Sequence, residues 1–151
     1  MKKILSITLL CIITTLVITG CGVEKESVIG EKSSVQIIER EFSLSIKKDT
    51  LSQTGAVLVL KNNGKIDAQY GSSYEIEKKQ NGEWHKIEAQ LYFNMIAYSL
   101  KSNEVKEINL NWEKDYGKLS PGEYRLIKTI DIENDDGTFT SFNIAAEFTI
   151  M

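Results

Sequence analysis

Leu119-Ser120-Pro121-Gly122-Glu123-Tyr124 turns the chain sharply into a strand. Pro121 presets φ at one turn position and Gly122 supplies positive φ at the next, so the strand begins at Tyr124. A tyrosine just inside such a corner can bury its ring and return its hydroxyl to nearby backbone. Pro121, Gly122 and Tyr124 therefore read as a structural corner and not as a ligand contact. The strand leaving the corner selects its own partner. A three-residue loop Asp135-Asp136-Gly137, with Gly137 in the left-handed position after a type I turn, pairs Ile130 with Phe142, Leu126 with Ala146 and Tyr124 with Phe148. A two-residue loop would set Ile130 and Ile132 against Asn143 and Ser141, an apolar row facing a polar one. Since a slip of one residue exchanges the faces, the three-residue loop is preferred.

The same period of two extends outward from this hairpin. Phe42, Leu44 and Ile46 alternate with Ser43 and Ser45, and Ile108, Leu110 and Trp112 alternate with Asn109 and Asn111. Residues 56–60 are apolar on both faces, which predicts a central strand. An Asn81-Gly82 type I′ turn would pair Gln80 with Glu83, Glu77 with Lys86, Ile76 with Ile87 and Tyr74 with Ala89. Trp84 then falls on the polar face, opposite Lys79. Breaks at Lys61-Asn62-Asn63-Gly64, Lys101-Ser102-Asn103 and the turns already named divide the chain into about seven to nine strands. An all-β antiparallel sandwich or barrel follows.

Several blocks also carry a resemblance. Leu60-Lys61-Asn62-Asn63, Tyr70-Gly71, Tyr74-Glu75-Ile76-Glu77, Asn81-Gly82-Glu83-Trp84, Trp112 and above all Tyr116-Gly117-Lys118-Leu119-Ser120-Pro121-Gly122-Glu123-Tyr124-Arg125 resemble the bacterial Ig-like domain of Firmicutes lipoproteins and surface proteins. The likeness runs from about Ser33 to Ile150. It implies an Ig-like β-sandwich, with Tyr124 as the tyrosine corner of such folds, and a binding or spacing module without catalysis. Where the family often has Pro-Gly before the strand ending in Trp112, this chain has Lys101-Ser102-Asn103.

Catalytic chemistry finds little footing. His85 is the only histidine, no serine stands in a Gly-x-Ser-x-Gly elbow, and the carboxylates are interspersed with lysines. No phosphate-cradling glycine loop is present. Asp131, Glu133, Asp135 and Asp136 make calcium the best metal candidate. The spacing fails, because counted from Asp131 the sixth and twelfth positions of an EF-hand loop hold Asp136 and Phe142 in place of glycine and glutamate. The expectation is no enzyme, no metal and no cofactor.

The amino terminus predicts the compartment. Met1-Lys2-Lys3, an apolar run over 4–17 and Ile18-Thr19-Gly20-Cys21 form an export signal. A cysteine directly after the small residue resembles the bacterial lipobox, which implies acylation of Cys21, removal of residues 1–20 and anchoring to the outer face of the cell membrane. Residues 21–34, poor in large apolar side chains, read as a flexible tether with a root-mean-square reach of roughly 20 Å, leaving 35–151 for the sandwich. Without Lys2 and Lys3 the mature chain has 16 basic and 21 acidic side chains, a formal net charge of −5. That balance argues against nucleic acid and gives no attraction to anionic lipids or wall polymers, so the acyl chain would supply membrane contact.

What remains is recognition. Trp84 on its polar face, and Tyr92 and Phe93 in a run where adjacent large residues cannot all point inward, are the candidate binding surface. The plainer alternative is that the tether or a neighbouring loop covers them. The expected function is a lipid-anchored, non-catalytic binding or structural module facing an extracytoplasmic protein or cell-wall component. The alternative is an inhibitor or immunity-type lipoprotein that blocks an exported enzyme.

Overall fold

The computed structural model describes residues 27–38, 40–89 and 91–151. The signal-peptide helix expected over 1–20, and Cys21, lie outside the described residues. The strands are β1 (Val28–Lys32), β2 (Phe42–Ile46), β3 (Gly55–Asn62), β4 (Ala68–Gly71), β5 (Glu75–Gln80), β6 (Glu83–Glu88), β7 (Ala97–Leu100), β8 (Val105–Asn111), β9 (Gly122–Glu133) and β10 (Phe139–Ile150). A single helical turn, α1 (Glu113–Tyr116), joins β8 to β9.

The strands form an antiparallel sandwich. The smaller sheet has the order β2-β3-β8, with the apolar β3 in its centre. The larger runs β1-β6-β5-β9-β4-β7, with β10 along the other edge of β9. The twelve-residue β9 is the spine: Glu75 to Lys78 of β5 pair with its first half, and Gln69 and Tyr70 of β4 with Asp131 and Ile130 further along.

Both hairpins have the register their turns predict. Asn81 and Gly82 take φ of 52° and 83°, and Gln80, Lys79, Lys78 and Glu77 face Glu83, Trp84, His85 and Lys86. In the second hairpin Gly137 has φ 80°, and Phe142, Ala146 and Phe148 face Ile130, Leu126 and Tyr124. At Lys101-Ser102-Asn103, Asn103 adopts the left-handed φ of 59°, and Asp67 accepts from the Ser102 amide at 2.8 Å. Asparagine tolerates that conformation at modest cost, so the turn closes without the family's proline and glycine.

The core fills with the inward row of each strand: Phe42, Leu58, Leu60, Ile76, Leu126, Ile130 and Ile144 are all buried. At one end Phe148 stacks between Trp112 (ring centroids 5.8 Å apart) and Tyr124 (5.6 Å). Each polar tip in this cluster has a backbone partner. The Trp112 indole N–H donates to the Gln53 carbonyl at 2.9 Å, the Tyr116 hydroxyl to Tyr74 at 3.1 Å and the Tyr124 hydroxyl to Ser120 at 2.6 Å. The rings thus bury their apolar area without orphaning a donor.

The tether expected over 21–34 needs correction within its described part. Residues 28–32 form β1, antiparallel to β6, with Val28 opposite Glu88 and Lys32 opposite His85. Composition hid it. β1 has no apolar alternation, and its backbone pairing is reinforced by the ion pairs Lys32–Glu83 and Lys86–Glu31. Beyond β1 the chain crosses the outer face of the large sheet. Ser33 donates its amide to the Trp84 carbonyl, and Ile38 donates to Asn143 on β10.

Candidate interaction surface

Successive β9 side chains point to opposite faces, so Tyr124, Leu126, Lys128 and Ile130 enter the core while Arg125 and Ile127 point outward. Arg125 and Ile127 are nevertheless buried, as is Glu77 beside them, because the crossing segment 33–38 covers this part of the sheet. Arg125 donates from Nε and from a terminal nitrogen to the same Glu77 oxygen, both at 2.6 Å. The Glu77 carboxylate is fully buried, and its second oxygen has no hydrogen-bond partner among the described residues. The Ser33 hydroxyl, 3.4 Å from Arg125, ties the crossing segment to this ion pair.

Trp84 lies over the same pair. Its ring is 4.8 Å from the Arg125 guanidinium and 5.4 Å from the Lys79 ammonium. These contacts are attractive through the ring quadrupole and leave the indole half-buried. Trp84 is therefore neither a free anchor nor a core residue. It roofs a buried ion pair and keeps part of its surface in solvent.

Tyr92 and Phe93 follow the other end of β6 and separate from each other. Phe93 turns inward against Tyr74, ring centroids 5.4 Å apart, while Tyr92 is 87% exposed. The loop carrying them is pinned by Ser72, whose hydroxyl donates to the Asn94 carbonyl at 2.9 Å. The three aromatics thus do not form one patch: Trp84 lies near the Asn81–Gly82 turn and Tyr92 beyond Glu88. His85 is half-buried beside β1, its Nδ1 3.4 Å from the Gly30 carbonyl. Asp136 caps its own turn by accepting from the Thr138 amide and hydroxyl, which holds its carboxyl below the usual range.

Three buried charged side chains among the described residues, Glu77, Arg125 and Lys128, escaped the sequence reading. The Glu77–Arg125 pair depends on cover from a distant segment, so hairpin register alone could not reveal it. Lys128 stands in the inward row Tyr124, Leu126, Ile130, a signal that residue type obscured. Its ammonium donates to the Gly71 and Ser73 carbonyls at 2.9 and 2.8 Å and lies 5.5 Å from the Tyr70 ring. Burial pulls its pKa down to about 8, against the carbonyls and the ring face, which favour the charged form. Burial likewise pushes the Tyr74 hydroxyl up to about 12 and raises that of Tyr116.

Residues 38–149 match the family model described as the bacterial Ig-like domain. The chain belongs to the bacterial Ig-like domain family. Within it, Tyr124 supplies the corner, and β1 with Ser33 adds cover outside the matched span. No curated protein matches this Ig-like chain. A solved structure, the ASH/PapD-like domain of human CEP192 (PapD-like domain 7), is similar at 12% identity over 80% of this chain and 97% of that one, with a TM-score of 0.35. Bacterial Ig-like domains are typically non-enzymatic.

Proposed function

We propose that this Ig-like domain is the non-catalytic binding or structural module of an extracytoplasmic lipoprotein, held by an acylated Cys21 to the outer face of a bacterial cell membrane. The Ile18-Thr19-Gly20-Cys21 sequence supports the anchor. The observation that carries recognition is the partly exposed Trp84, fixed by Arg125 and Lys79 on the outer face of the large sheet. A rigid aromatic held in place by its neighbours loses little entropy on docking, which suits an extracytoplasmic protein or a cell-wall component. Crosslinking in intact cells with the mature lipoprotein as bait tests this reading. Capture of a partner by wild type and its loss with Trp84→Ala support it; identical capture by both assigns Trp84 to packing.

A second reading, an inhibitor or immunity-type lipoprotein, is favoured by the β9–β10 hairpin. Its exposed tip is fixed by Asn134 N–H to the Thr138 carbonyl at 2.8 Å and Gly137 N–H to the Asn134 carbonyl at 2.9 Å, with half-exposed Phe139 beside it. Loss of the captured partner on Phe139→Ala, with Trp84→Ala silent, would select it.

A further inference from the structure

The first described strand begins at Val28, which pairs with Glu88, the last residue of β6. The segment after Glu88 projects from the same edge of the large sheet: β6 and β7 flank successive stretches of the β5 and β4 line, and residues 91–96 bulge between them. Leu91 and Phe93 are packed inward and fix the loop, while Tyr92 and Met95 stand out at 87% and full exposure, with Ile96 half-exposed after them. None of the residues 91–100 is charged, in a chain that is 26% charged.

Because β1 begins at Val28, only residues 22–27 separate Cys21 from the folded domain, an extended span of about 24 Å at most. The lipid anchor cannot be far from this edge. We infer that Tyr92, Met95 and Ile96 dip into the outer leaflet and hold the domain with its large-sheet edge against the membrane, an inference that rests on acylation of Cys21. Tyrosine suits such a boundary, since its ring enters the acyl region while its hydroxyl stays among headgroups. Met95 and Ile96 add apolar area without charge to desolvate. The insertion orients a domain already anchored and presents the sheet ends away from the membrane to partners.

Residues 22–151 contain no cysteine, so a single thiol can be introduced for labelling. The full lipoprotein carrying Met95→Cys or, in the turn after β2, Lys48→Cys would be labelled with an environment-sensitive nitrobenzoxadiazole dye and reconstituted into phosphatidylcholine vesicles containing doxyl-labelled lipid. Both positions are exposed, so the folded state is retained. The expected result is blue-shifted, doxyl-quenched emission at 95 and water-like, unquenched emission at 48. Mass spectrometry of the same samples reports acylation. An acylated, vesicle-bound chain whose label at 95 is as wet as that at 48 overturns the insertion and leaves the anchor standing. A mass without the lipid overturns the anchor, and the insertion with it.

Discussion

The Tyr124 hydroxyl donates to the Ser120 carbonyl, four residues upstream, at 2.6 Å. This bond closes the Pro121–Gly122 corner onto the strand it launches, while the ring stacks on Phe148 in the core. Tyr124→Phe removes the bond alone and is expected to cost about 1 kcal/mol. Tyr124→Ala also opens a cavity and should cost about 3 to 5 kcal/mol. Urea unfolding measures both, and an unchanged midpoint for Tyr124→Ala would contradict a buried ring.

Glu77 and Arg125 are buried together beneath residues that arrive from the amino-terminal side of the sandwich. Removing one partner strands the other charge, so Arg125→Ala should destabilise by about 3 to 5 kcal/mol. Replacing both with methionine should cost clearly less than Arg125→Ala, because no buried charge remains. A double variant as unstable as the sum of its single replacements would show that the pair does not act as a unit.

Lys128 gives stability a measurable pH dependence. Below pH 8 both states hold its proton and the burial penalty is fully present. Between about 8 and the ordinary value of 10.5 the unfolded chain holds more protons than the folded one, so stability rises with pH. Tyr74, raised from 10.0 to about 12, acts oppositely, and its contribution is lost as pH climbs above 10. The denaturation midpoint should rise from pH 8 to 10 in wild type and lose that rise in Lys128→Met. An equal slope in both proteins would contradict a neutralised buried amine.

The two tryptophans should report opposite environments. Trp112 is fully buried against Phe148, whereas Trp84 keeps a solvent-facing part beside the Lys79 ammonium. Trp84→Phe should abolish the iodide-quenchable, red-shifted emission, and Trp112→Phe should leave it. Equal protection of both rings would place Trp84 under cover.

These effects separate what local chemistry announces from what distant cover creates. Asn81-Gly82 and Asp135-Asp136-Gly137 set strand register through turn geometry alone, so both hairpins and the inward row from Tyr124 to Ile130 were legible in the sequence. Asn62 read only as part of a turn, yet it is fully buried, donating to the Ile66 carbonyl and accepting from the Gly64 amide. β1 was illegible because its pairing is carried by backbone and exposed ion pairs with β6, more than fifty residues away. The same distance hid the candidate surface. Trp84 was correctly set opposite Lys79, but its clamp by Arg125 and the burial of Glu77 arise only once Ser33 crosses the sheet. α1 is a single turn, too short to print a helical period.

The account centres on a binding module tethered by lipid at Cys21, and the intact mass of the mature chain purified from its own cells tests it most directly. The predicted result is an amino terminus at Cys21 carrying a diacylglyceryl group, with detergent-phase partitioning lost or the precursor left uncleaved in Cys21→Ala. Equal mass difference from sequence and equal partitioning for wild type and Cys21→Ala would contradict it.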